Sequence, residues 1–127
     1  MQEKNLFEYA VIRVVPRVER EEFINVGIIL YCAKQKFLKA KICINDTKIL
    51  AIMPDIEIDF LHENLNALIQ ICEGGKHAGP IGILDNASRF RWLTATRSTV
   101  IQSSKVHPGF CTAAEETLQK LFNELVL

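Results

Sequence analysis

The stretch from Tyr9 to Tyr31, YAVIRVVPRVEREEFINVGIILY, limits the fold more than any other part of this chain. Two apolar runs rich in β-branched residues flank a charged segment, Arg17 to Glu21, and Pro16 closes the first run. A crowded Cβ favours extended backbone, where it packs well on a pleated surface. The pattern predicts strands over 6–15 and 23–32, joined by a tight turn. Both faces of the first strand are mostly apolar, which places it inside a sheet and not at a border. One polar residue interrupts each run: Arg13 in the first, Asn25 in the second.

A third strand follows over 37–44. Leu38, Ala40, Ile42 and Ile44 alternate there with Lys39, Lys41 and Cys43, the pattern of a half-buried strand. Pairing the three as an antiparallel meander sets Arg13 near Asn25, Val11 near Gly27 and Ile28 near Ile42. One face then collects Ala10, Ile12, Val14, Ile24, Val26, Ile28, Leu30, Leu38, Ala40 and Ile42 as the core. The other collects Tyr9, Val11, Arg13, Asn25, Gly27, Ile29, Lys39 and Lys41. A slip of one residue would exchange the faces of a whole strand.

A short helix over 46–52 stops before Pro54. A longer one over 55–72 carries Ile58, Leu61, Leu65, Leu68 and Cys72 as one apolar stripe, and Gly74-Gly75 ends it. Residues 74–88 read as a connection with a turn of helix near Ile81 to Asn86. Arg89 to Ala95 and Ser98 to Ser103 read as two strands with a hairpin at Thr96-Arg97. His107-Pro108-Gly109-Phe110 carries a turn signal. Thr112-Ala113-Ala114-Glu115 has the form of a capping box opening a last helix. The order βββ-α-ββ-α in 127 residues predicts a single domain over 1–127 of α+β class. Its antiparallel sheet has about five strands, with helices packed on one face.

Charge narrows the function classes. Fifteen basic residues balance fifteen acidic ones, so no global field favours nucleic acid or an anionic membrane. The middle is acidic, with seven acidic and two basic side chains over 46–86. There is no apolar run of membrane-spanning length and no signal-peptide pattern at the N-terminus. Cys32, Cys43, Cys72 and Cys111 lie far apart without a CxxC pair, as expected of reduced thiols in a cytoplasmic protein. Neither a cofactor nor a bound metal is predicted. The three histidines have no ligand spacing, and nucleotide-loop, zincin and nucleophile-elbow motifs are absent.

The candidate site residues come from the interruptions. An arginine within an apolar strand must reach solvent, a carboxylate or a ligand. Arg13 either pairs with Glu21 or Glu22 or, with Asn25, contacts an anion on the open sheet face. Gly27 beside them suggests a bulge or a close approach. Arg97, Ser98 and His107 complete a candidate anion or ligand site, with Glu22, Gly27 and Trp92 in support. The run Arg89, Arg91, Trp92, Arg97 interleaves basic and aromatic groups, as surfaces that bind single-stranded nucleic acid do. Cys111 precedes a helix N-terminus, where a thiol pKa is lowered, but no base accompanies it.

The motifs Arg13-x-x-Pro16, Glu22-Phe23-x-Asn25-x-Gly27, Trp92-Leu93-Thr94-Ala95-x-Arg97-Ser98 and His107-x-Gly109 together resemble those of the bacterial domain-of-unknown-function family 3037. The resemblance covers the chain from Tyr9 to the last helix. It implies no catalytic role. It does imply a partner, since the family's members are similar to small proteins often encoded beside a HipA-like kinase. Three functions are therefore expected in order: a cytoplasmic interaction or accessory protein, partner or regulator of such a kinase; an enzyme or binder of a phosphorylated or nucleotide ligand; and a nucleic-acid-binding module. A homodimer through the less apolar sheet face is compatible with the first.

Overall fold

A computed structural model describes residues 3–15, 22–95 and 100–127. Strands β1 (Asn5–Val14), β2 (Ile24–Cys32) and β3 (Phe37–Ile42) come first. Helices α1 (Asp46–Ile52), α2 (Ile58–Glu73), the short α3 (Gly79–Gly82) and α4 (Asn86–Leu93) follow. Strands β4 (Ile101–Ser103) and β5 (His107–Cys111) precede the last helix, α5 (Ala114–Leu125). All strand pairs are antiparallel, and the class is α+β as predicted. β1 and β2 lie in the middle of the sheet, and β3 forms one border. β4 and β5 share the other border, both pairing with β1.

Ser104 joins those two segments. Its Oγ accepts the Val11 N–H at 2.8 Å and donates to the Lys105 carbonyl at 2.9 Å. Its own N–H donates to the Val11 carbonyl at 2.8 Å. A backbone donor on β1, the Val11 N–H, is thus satisfied by a hydroxyl in place of a strand carbonyl.

One irregularity sets the faces of the sheet. Ile12 faces Gly27, but the next residue, Arg13, faces Asn25, so Val26 is an extra residue on β2. This β-bulge reverses the alternation of β2 beyond it. Val26 and Ile29 lie with Ala10, Ile12, Val14 and Ala40 on one face. Ile28, Leu30 and Cys32 lie with Phe7 and Val11 on the other. Ile28 and Leu30, expected on the first face, are thereby moved to the second, and Gly27 meets Ile42 where Ile28 was expected. Gly27 is there for space: a Cβ would sit 2.5 Å from Ile42 Cδ1 and 2.8 Å from the Lys41 carbonyl oxygen.

Helices therefore cover both faces, not one. α2 and α4 bury Leu61, Leu65, Phe90 and Leu93 on the first face. α5 buries Ala114, Leu118 and Phe122 on the second. The reason is that β1 and β2 are apolar on both sides, and each side requires a cover.

The strand expected over 89–95 is helix α4. Asp85 caps it, its carboxylate accepting the Ser88 N–H at 2.8 Å; hydrogen bonds from the Ser88 side chain and then its N–H lower the Asp85 pKa. Phe90 is fully buried whereas Trp92 is 40% exposed, which alternation would not allow. Arg89 is buried, and its fork closes the end of α2. Nη1 donates to the Ile71 and Cys72 carbonyls, each at 2.7 Å, and Nε to the Leu84 carbonyl at 3.0 Å. Nη2 donates to Asn86 Oδ1. Gly74 leaves α2 at φ 81°, and a Cβ there would lie 2.8 Å from Arg89 Nη1.

Residues 107–110, expected as a turn, belong to β5. Pro108 is tolerated because β5 is a border strand and a missing donor leaves no neighbour unpaired. Gly109 makes room for the Phe7 ring, 2.6 Å from where its Cβ would be. α5 is capped at Ala113, not at Thr112. Gln35 from the β2–β3 turn does the capping: its Oε1 accepts the Ala114 N–H and its Nε2 donates to the Thr112 carbonyl, both at 2.9 Å. Among the described residues no helix is long and apolar enough to cross a membrane.

Candidate functional site

The polar residues of the central strands form a row across the sheet. Arg13 on β1 faces Asn25 on β2 and Gln102 on β4. Its guanidinium carbon lies 4.1 Å from the centroid of the Phe23 ring, a cation–π contact. Asn25 Nδ2 donates to the Leu125 carbonyl at the end of α5, at 3.1 Å. Arg13 Nε and Asn25 Oδ1 are buried and have no hydrogen-bond partner among the described residues. A donor and an acceptor are thus left open on facing residues, a costly arrangement unless something fills it.

His107 is not part of this row. It faces Tyr9, with ring centroids 5.2 Å apart. Tyr9 and Arg13 are four residues apart on one strand, about 13 Å at the rise of an extended chain. Arg97 and Ser98 lie outside the described residues, as do Pro16, the expected Arg17 to Glu21 turn and the Thr96-Arg97 link. Gly27 stands at the bulge, one position along β2 from the extra residue.

The basic and aromatic run of 89–97 resolves into unlike roles. Arg89 is committed to carbonyls inside the protein. Arg91 grips both Glu8 carboxylate oxygens, at 2.8 and 2.6 Å, which raises its pKa. Neither guanidinium is presented to a phosphate. The Cys111 and Cys72 thiols are not activated either. Burial raises Cys111, outweighing the Thr117 hydrogen bond, although a helix begins nearby. Burial pushes Cys72 up to about 12. Among the described residues no group of three or more His, Cys, Asp and Glu side chains could hold a metal ion.

A further concavity lies elsewhere, between α2, α4 and β4. It is a groove of about 690 Å3, and its lining includes Phe60, Leu68, Ile71, Trp92, Val100 and Ile101. The described polar side chains along it are those of Glu57, Asn64 and, through its indole N–H, Trp92. Phe60 is 63% exposed and Val100 41%, large apolar groups held in water. The cause is a second apolar stripe on α2. Leu61, Leu65 and Cys72 turn into the core. Phe60, Ala67 and Ile71 sit beside them at spacings of seven and four residues, a row on the same helix flank. That second stripe was present in the sequence next to the one that was read. The segment that supplies this wall is acidic: no Lys or Arg occurs between Lys48 and Lys76, while Asp55, Glu57, Asp59, Glu63 and Glu73 do, and Glu57 is the one of them in the lining.

In a comparison with family models, residues 9–126 match the family described as protein of unknown function (DUF3037). No curated protein and no solved structure matches the chain.

Proposed function

The chain belongs to the DUF3037 family, and because that family brings no assigned chemistry we propose from the protein's own geometry that it is a binding protein, acting by holding an apolar segment of a partner protein. The groove between α2, α4 and β4 carries this reading. Binding sites are concave and mostly apolar, and interface cores are rich in exposed aromatic anchors such as Phe60 and Trp92. An active site would need titratable groups converging on it, and the groove has one carboxylate, Glu57, and an amide. The HipA-like kinase that the resemblance implies is the first partner to try. Co-expression should yield a complex that Phe60→Ser dissolves without unfolding the protein. A complex unaffected by Phe60→Ser would remove the groove from the account.

The facing Arg13 and Asn25 support a second reading, a small anionic or polar ligand that accepts from Arg13 Nε–H and donates from a hydroxyl to Asn25 Oδ1. Phosphate titration followed by the NMR signal of the Arg13 Nε–H tests it. An unchanged signal at saturating phosphate would exclude an anion there.

A further inference from the structure

We propose that the occupant of the groove is an amphipathic helix whose apolar face is flanked by Lys and Arg; this rests on the groove reading above and specifies its partner. The groove runs along α2 from Glu57 to Ile71. Fourteen residues at 1.5 Å each make it about 21 Å long, the length of a four-turn helix. Helices that lie in grooves present anchors at spacings of three and four. The lining residues Phe60, Asn64, Ala67 and Ile71 show the same spacing from the other side.

An extended segment suits the place less well. Strand addition needs a border to hydrogen-bond with, and β4 offers three residues, Ile101–Ser103. Charge selects among helices. Glu57 lines the groove at the start of α2, Glu63 neighbours the Phe60–Ala67 row at spacings of three and four, and α2 contains no Lys or Arg. On the opposite wall Arg91 is held by Glu8. Basic flanks would be steered in and favoured, and acidic ones repelled. A fatty acid would bring a carboxylate to the same acidic rim. α5 of a second copy, with Glu115, Glu116 and Glu124 against Lys120, is acidic too and does not complement it.

Trp92 is the single tryptophan of the chain and lines the groove, so its emission reports occupancy directly. The probes are two synthetic peptides of about 14 residues, one with leucine at helical spacing and lysine elsewhere, the other with glutamate for lysine. The full chain is titrated with each. The leucine–lysine peptide should shift Trp92 emission to shorter wavelength, bind about tenfold more tightly than its glutamate counterpart, and weaken with salt. The double variant Glu57→Lys, Glu63→Lys should reverse that preference. Equal binding of both peptides leaves the groove reading standing and overturns the basic class. No shift with either peptide, in protein shown to be folded by circular dichroism, overturns the groove reading itself. Self-association on sedimentation that buries Trp92 and that neither peptide displaces overturns the partner helix in favour of a second copy.

Discussion

Replacing Arg89 with methionine tests whether α2 and α4 are held together by one buried guanidinium. Arg89 is 8% exposed and donates to three backbone carbonyls and one side-chain amide oxygen. Two of those carbonyls, Ile71 and Cys72, belong to the last turn of α2, where no helical N–H can reach them. Methionine roughly keeps the volume and removes every donor. Each stranded buried carbonyl costs about 1 kcal/mol or more, so three give about 3 kcal/mol or above. Loss of the buried charge returns part of that, because its desolvation is no longer required. The expected net loss is about 3 kcal/mol, a large share of the roughly 5–15 kcal/mol that holds such a domain. Lysine at the same position should recover about half, since one ammonium cannot reproduce the fork. The control is Arg91→Met on the same helix. Its side chain is 55% exposed, and an exposed pair contributes about 0–1 kcal/mol. Urea unfolding followed by Trp92 emission measures all three variants. If Arg89→Met lost no more stability than Arg91→Met, the account of Arg89 as the tie between the helices would be wrong.

Three further outcomes follow from the same geometry. Gly27→Ala should destabilise by about 1–3 kcal/mol, the overpacking range, because its Cβ would meet Ile42 and the Lys41 carbonyl; an unchanged thermal midpoint would contradict the close approach. Gln35→Ala should cost about 1 kcal/mol, as losing a helix cap does, while Thr112→Ala should cost much less; the reverse order in denaturant midpoints would restore Thr112 as the cap. The Cys72 thiol, ordinarily near 9, is raised to about 12 by burial. Its contribution to stability is therefore complete below pH 9 and is lost as pH rises from 9 towards 12, with a slope of up to about 1.4 kcal/mol per pH unit. Cys72→Ala should flatten that part of a stability-versus-pH curve, and an unaltered slope would show that the thiol is not the titrating group.

The strands from Asn5 to Ile42 and the helices α2 and α5 were legible because each rests on a local period. The pairing of Arg13 with Asn25 was legible too. What escaped was set by single non-periodic residues. Gly27 hinted at a bulge, but the extra residue itself, Val26, leaves no mark, since Val at a strand position looks alike in or out of register, yet it decides which face receives Ile28 and Leu30. α4 looked like a strand because Arg, Phe and Trp alternate. The deciding signal was Asp85 three residues before Ser88, a cap that sets the helical period ahead of propensity. The α2 carbonyls that Arg89 closes lie 17 and 18 residues away, beyond any local pattern. The groove was missed for a different reason. One stripe on α2 was enough to account for a helix on a sheet, and the adjacent stripe with Phe60 and Ile71 had no visible counterpart until α4 and β4 were placed beside it.

The borders of the sheet carry a consequence for behaviour at high concentration. An open sheet exposes rows of unpaired amides that invite other sheets to add on. Here one border strand, β3, alternates Lys39 and Lys41 with its apolar residues, both lysines tied to α5 through Glu115 and Gln119. The opposite border is split into a three-residue piece and a piece containing Pro108. Neither side offers a long, flat, uncharged ladder. The protein can therefore keep an apolar groove in water without also presenting a template for fibrous aggregation, so that its stickiness is confined to a helical surface that only a matching shape can cover.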